Sequence, residues 1–204
     1  MRKRPGNYLV SITAALLSVC LLAACSNSPI DQQAVSSKQG YSDVDGIKIA
    51  AGQVAPDFTL KDIAGKPVQL SAFRGKSNVM LLFYRGQWCP FCIGHLEDIQ
   101  SLFPDLPNYN TILLAISPDD RDDLQKMADR FDVPYTFLSD ADLAVAERYG
   151  IRRDESLPHP AVILINRQGE VVWFYVGENY RQRPSASQIR EVLDRVFRKV
   201  AVSD

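Results

Sequence analysis

Cys89 and Cys92, a C-x-x-C pair, are the residues of this 204-residue chain best suited to chemistry. A thiolate attacks disulfides and ligates soft metals, so such a pair is a dithiol–disulfide couple or half of a metal site. A structural bridge is the third use, but so short a loop gains little unfolded-state entropy and such bridges are labile. His95 and His159 are the only histidines. With the pair they could form a Cys2His2 site, or two thiolates and one imidazole could take Cu(I), although His95 reads equally as a solvent-facing helix residue. Arg85, four residues before Cys89, could lower a thiolate pKa or simply be solvated.

The neighbouring sequence predicts how the pair is held. Residues 78–84 (NVMLLFY) form a continuous apolar run closed by Arg85-Gly86-Gln87, the pattern of a strand buried on both faces. Beyond Cys92, apolar residues recur at Ile93, Leu96, Ile99 and Phe103, and Pro90 suits the first turn of a helix. The cysteines are thus expected at a strand-to-helix junction, where unpaired N–H groups and the helix dipole lower a thiol pKa. Cys89, just outside the helix and expected to be the more exposed, is assigned the attack. Cys92, one turn in, is assigned resolution of the mixed disulfide. Pro90 keeps the turn rigid and Trp88 shields one side.

The remaining elements alternate. Residues 58–60 and 68–70 flank the turn Ala64-Gly65-Lys66 as a short hairpin. Residues 111–116 (TILLAI) are a second buried strand. Ser117-Pro118-Asp119-Asp120 follows, predicting a helix with Ser117 as N-cap and Pro118 at its first position, stopping before Pro134. Phe137-Leu138 reads as a short strand, 143–149 as a helix ended by Gly150, 161–165 as a third buried strand and 170–176 as its hairpin partner. A capping box at Ser185 and Gln188 opens a last helix with apolar residues from Ile189 to Val200. The order βββαβαβαββα predicts an α/β domain over 51–204, a three-layer sandwich with a mixed central sheet.

With 46% hydrophobic residues and 23 basic against 24 acidic side chains, the chain is globular and nearly neutral. No basic block follows Arg4, so nucleic acid is not an expected partner. Residues 1–24 read as a secretory signal peptide: Arg2, Lys3 and Arg4, then an apolar stretch over 9–24, then no charge until Asp31. That stretch falls short of the roughly 20 apolar residues that span a bilayer. Leu22-Ala23-Ala24-Cys25 resembles the lipobox of bacterial lipoproteins, which implies cleavage before Cys25 and acylation of its sulfur. Residues 25–50 are then the lipidated cysteine and a flexible tether with a root-mean-square reach of about 25–30 Å. The expected location is the bacterial cell envelope. Ser26, rather than Asp, after the cysteine points by the enterobacterial sorting rule to the outer membrane, facing the periplasm. Only Cys89 and Cys92 then remain free for redox chemistry in that oxidising compartment.

The motifs Ala55-Pro56-Asp57-Phe58-Thr59-Leu60, Phe83-Tyr84-Arg85-Gly86-Gln87-Trp88-Cys89-Pro90-Phe91-Cys92, Ser117-Pro118-Asp119 and Pro134-Tyr135-Thr136-Phe137-Leu138-Ser139-Asp140 leading to Tyr149-Gly150 resemble the thioredoxin superfamily. Within it they are similar to the alkyl hydroperoxide reductase/thiol-specific antioxidant branch that contains the peroxiredoxins. The peroxiredoxin pattern P-x-x-x-T-x-x-C with a distant arginine would make Cys92 the peroxidatic residue, but its other positions hold Arg85, Cys89 and Pro160. Thioredoxins instead carry C-x-x-C and a cis-proline facing it. The resemblance therefore implies a thioredoxin-like site in a peroxiredoxin-like body, with Pro160, beside His159, cis and presenting backbone to a substrate's extended segment. The expected function is that of a membrane-tethered thiol-disulfide oxidoreductase using the Cys89/Cys92 couple, without a cofactor. Its partners would be protein dithiols or disulfides, an electron donor the sequence leaves unnamed, and the membrane through Cys25. The alternatives are a thiol peroxidase acting on hydroperoxides and a copper-binding metallochaperone with His159 near the sulfurs.

Overall fold

In the computed structural model, which describes residues 29–197, the centre of the molecule is the strand β4 (Asn78–Phe83), buried along its whole length. An apolar run from Val79 onward has no face to offer water and is covered on both sides. β4 pairs in parallel with β5 (Thr111–Ser117) and antiparallel with β7 (Ala161–Ile165), so that Phe83 lies opposite both Ile116 and Ala161. β6 (Thr136–Ser139) continues the sheet beyond β5, followed by the hairpin of β2 (Thr59–Asp62) and β3 (Pro67–Gln69). β8 (Val171–Val176) and the two-residue β1 (Tyr41–Ser42) extend it beyond β7. The result is one mixed eight-stranded sheet.

The pleat of β4 splits the core in two. Met80 and Leu82 face the layer of α2 (Pro90–Ile99), α3 (Arg121–Ala128) and α5 (Ala186–Val196). Val79, Leu81 and Phe83 face α4 (Ala144–Tyr149) and the 3-10 turn that begins at Leu70. This is the three-layer α/β sandwich expected. The N-cap of α3 differs: it is Asp120, whose side chain accepts from the Asp123 amide, because Ser117 is still paired in the sheet opposite Ser139.

Residues 29–50 depart furthest from expectation. Instead of a flexible tether they form a strap packed on the body. Asp31 caps the short helix α1 (Gln32–Ser36), which buries Ala34 and Val35 beside Ile30 in the α5 core. Gln188 donates to the Ile30 carbonyl (2.8 Å), Arg195 to that of Val35 (2.7 Å), and the Glu178 amide to the Asp43 carboxylate (2.7 Å). Further along, Ile49 enters the second core, and the Lys48 amide donates to the Tyr149 carbonyl just where Gly150 (φ +71°) leaves no room for a Cβ. A five-residue helix has too few turns to announce itself by period, and tertiary contacts hold this one. The expected signal peptide and acylated Cys25 lie outside the described residues. Among those described, no helix is long and apolar enough to cross a membrane.

Candidate active site

Beyond β4 the chain turns through residues 85–88 and enters α2 at Cys89, the N-cap residue, with Pro90 in the first turn, where its missing N–H costs nothing. Gly86 is held at φ +150°, and a Cβ there would lie 2.6 Å from the Trp88 ring nitrogen and 2.9 Å from an Asp119 carboxylate oxygen. Asp119 ties this turn to the end of β5, accepting from the Gln87 amide and the Ser117 hydroxyl, each at 2.9 Å. Burial raises its carboxyl pKa, against the pull of those two hydrogen bonds.

Both cysteines are free thiols and both are buried, so the expectation that Cys89 is the more exposed does not hold. Charge distinguishes them instead. Cys89 is lowered to about 6, chiefly by the hydrogen bond from the Cys92 thiol, with burial opposing and the Cys92 amide, Arg183 and Arg85 assisting. Cys92 is raised well above the ordinary thiol range by burial and by giving its proton to that bond. The reduced pair is therefore one thiolate and one thiol that share a proton. Cys92 Sγ also faces two donors, the Arg85 amide at 3.4 Å and Arg183 Nη2 at 3.3 Å, aimed where charge appears once Cys92 ionises.

Arg183 was not foreseen. It is 2% exposed, lies 91 residues from Cys92, and sits on the loop before α5. Its other guanidinium nitrogen donates to the Tyr180 carbonyl. This loop and the first residue of α5 are fastened along one face of α2: Arg183 to Cys92, the Pro184 carbonyl to His95 Nε2 (2.9 Å), and the Ala186 amide to the Asp98 carboxylate (2.7 Å). His95 is thus buried rather than solvent-facing. Because a carbonyl only accepts, Nε2 carries the proton, and burial with the nearby Arg183 charge pushes the His95 pKa down to about 3.

His159 and Pro160 stand apart from that arrangement. His159 is buried, its Nδ1 3.5 Å from Glu178 and its amide bonded to the Ile151 carbonyl; burial lowers its pKa, with Glu178 opposing. No cis peptide bond occurs among the described residues, so Pro160 is trans where cis was expected. Its carbonyl accepts from the Gly177 amide (3.1 Å). The backbone expected to be offered to a substrate is in part used by the chain's own β8 end. Among the described residues no three His, Cys, Asp or Glu side chains converge as a metal site.

At the rim, Trp88 is 53% exposed, and the Arg85 guanidinium lies 5.0 Å from its ring centroid and 4.5 Å from that of Tyr180. Trp88 therefore belongs to a platform beside Cys89.

A family model described as AhpC/TSA family matches residues 51–174. The chain is 30% identical over 128 residues to the thiol-disulfide oxidoreductase ResA of Halalkalibacterium halodurans, covering 62% of this chain and 69% of that protein. It is 32% identical over 130 residues to the chloroplastic peroxiredoxin Q of Triticum aestivum, covering 63% of this chain and 59% of that one. The crystal structure of peroxidoxin BcpB from Mycobacterium tuberculosis matches with a TM-score of 0.64 at 25% identity, over 74% of this chain and 99% of the other.

Proposed function

We propose, from the premise that this chain belongs to the AhpC/TSA family and is a thiol oxidoreductase of it, that its reaction is dithiol–disulfide exchange through Cys89 and Cys92. The placement of the pair carries the reading: Cys89 caps α2 and Cys92 lies one turn in, facing Arg183 and the Arg85 amide, with the Cys89 thiol pKa lowered and that of Cys92 raised. Cys89 thiolate attacks one sulfur of a substrate disulfide, and the other sulfur leaves as a thiolate and takes up a proton. Cys92, losing its proton beside Arg183, then attacks Cys89 Sγ and expels the second substrate thiolate. Two electrons pass to the substrate, which ends as a dithiol, and a Cys89–Cys92 disulfide remains for a donor to reduce. ResA is named for this chemistry.

A second reading, peroxide reduction, is favoured by one observation: Arg183 places a guanidinium on Cys92 Sγ although the expected arginine position holds Pro160. Cys92 thiolate would attack one peroxide oxygen, water or an alcohol would leave, and Cys89 would condense with the sulfenic acid, releasing water. Against it, Cys89 occupies the position of the threonine hydroxyl, and loss of a donor aimed at developing charge costs about 10²–10³ in rate. The test is oxidation of the reduced, metal-free protein by hydrogen peroxide and by a peptide disulfide. Faster reaction with the disulfide is expected, with Cys92→Ser trapping mixed disulfides and Cys89→Ser trapping few. Far faster reaction with peroxide, lost in Cys92→Ser but persisting as a single turnover in Cys89→Ser, would assign a peroxidase instead.

The proposal extends to location. The charge, length and lipobox pattern of residues 1–25 support a chain anchored in the bacterial envelope by acylated Cys25, at the outer membrane and facing the periplasm. Incorporation of a fatty-acid analogue that Cys25→Ala abolishes is the expected result.

A further inference from the structure

Arg85 and Arg181 lie at the mouth of the site and Arg183 is buried behind it, and among the described residues none of the three forms an ion pair. Arg183 lies on Cys92. Arg85 bridges Trp88 and Tyr180, and its Nε is buried without a hydrogen-bond partner. Arg181 lies 5.4 Å from the Phe91 ring centroid and 5.5 Å from that of Tyr180, its Nε donating to the Tyr180 hydroxyl at 3.3 Å. Phe91 and Tyr180 pack edge to face at 5.5 Å, so rings and guanidinium groups alternate around Cys89 and the exposed Pro90. The nearby carboxylates are otherwise engaged: Asp119 with Ser117 and Gln87, and Glu178 3.9 Å from Arg153 and 3.5 Å from His159.

The concentration is local, since the whole chain carries a formal charge of −1. A guanidinium lying against a ring keeps its N–H donors in its own plane, where they match a carboxylate fork. The N-terminus of α2 opens at the same place and adds positive potential. We propose that this rim selects polypeptide substrates whose reactive cysteine is flanked by aspartate or glutamate, Arg85 and Arg181 taking the flanking carboxylates while Trp88, Phe91 and Tyr180 cover the adjoining chain. The inference rests on the exchange reaction proposed above and names its substrate class.

The test uses three peptides with one intrachain disulfide and flanks of Glu, Gln or Lys, reduced by the full chain and followed by chromatography of the peptide. At about 0.01 M salt the glutamate peptide should react at least about tenfold faster than the lysine peptide, and the preference should collapse near 1 M, where the screening length is about 3 Å. Arg181→Glu, an exposed substitution, should lower the Glu-to-Lys rate ratio by about tenfold. Lys66→Glu, the same charge change on the distant β2–β3 turn, should leave that ratio in place. Equal rates for all three peptides would overturn the acidic preference and leave the exchange reaction standing. A ratio that falls equally in both variants would assign the preference to net charge and overturn the rim. Oxidised glutathione reacting as fast as the glutamate peptide would overturn the polypeptide part. Failure to reduce any of the peptides, with brisk reaction toward hydrogen peroxide, would overturn the exchange reaction and this inference together.

Discussion

At the scale of single residues, the sulfur assigned the attack ionises near 6 while almost out of contact with water. It does so because its proton partner is another sulfur one helical turn away. Alkylation of the reduced protein by iodoacetamide should therefore fall on Cys89, with a rate that rises to a plateau across a midpoint of about 6. The linkage has the sign of a depressed acid: stability contributed by ionised Cys89 is complete above the ordinary thiol pKa and is lost as pH falls through about 6. Thermal unfolding of the reduced protein and of Cys89→Ala should accordingly differ more at pH 9 than at pH 5. A midpoint above 8 would remove the basis for assigning Cys89 the attack. The two cysteines were legible because C-x-x-C is a local pattern. Arg183 was not, because nothing beside it in the chain marks an arginine whose contact lies 91 residues away.

Elements explain why the sulfurs stay where they are. α2 presents Cys92, His95 and Asp98 to the loop before α5 and to the first residue of α5, so the two segments are bonded at three successive points. His95 shares the face of Cys92, Leu96 and Ile99 at i, i+3, i+4 and i+7, and that spacing alone could have shown it to be buried. Kept neutral in the fold and free to protonate when unfolded, it makes stability fall with acidification between about 6.5 and about 3, by roughly 1.4 kcal/mol per pH unit. His95→Gln, able to keep a donor on the Pro184 carbonyl, should flatten that slope. His95→Ala should cost about 1–3 kcal/mol near pH 7 by leaving the buried carbonyl unpaired. Urea unfolding between pH 4 and 8 separates these outcomes, and an unaltered slope in His95→Gln would show that His95 does not govern it. β4, β5 and β7 were readable as unbroken apolar runs. The start of α3 was not, because Ser117-Pro118 imitates a cap while the sheet still holds Ser117.

Taken whole, the molecule is larger than its family match, which begins at residue 51. The sandwich was legible in the sequence because alternation of strand and helix patterns survives averaging. The strap was not, since its few apolar residues act only through the body they touch. It buries Ile30, Ala34, Val35 and Ile49 and bonds to Glu178 and Gln188, which bracket Arg183 in the chain. Truncation to residues 51–204 should therefore lower stability by several kcal/mol, on the scale of about 1.5–3 kcal/mol per large apolar side chain, and should slow resolution of the mixed disulfide. Truncation to 29–204 should do neither. Melting temperatures and single-turnover kinetics of the two shortened chains check this, and equal behaviour would make the strap dispensable.

The strap also sets a leash. With Cys25 acylated as proposed, Ile30 is the first packed residue among those described, and the five steps from Cys25 to it can span at most about 18 Å. A body so moored cannot roam the space between membranes. Under that proposal it would skim a lipid surface and meet partners that come to that surface, so the width of the compartment it served would be set by their reach and not by its own.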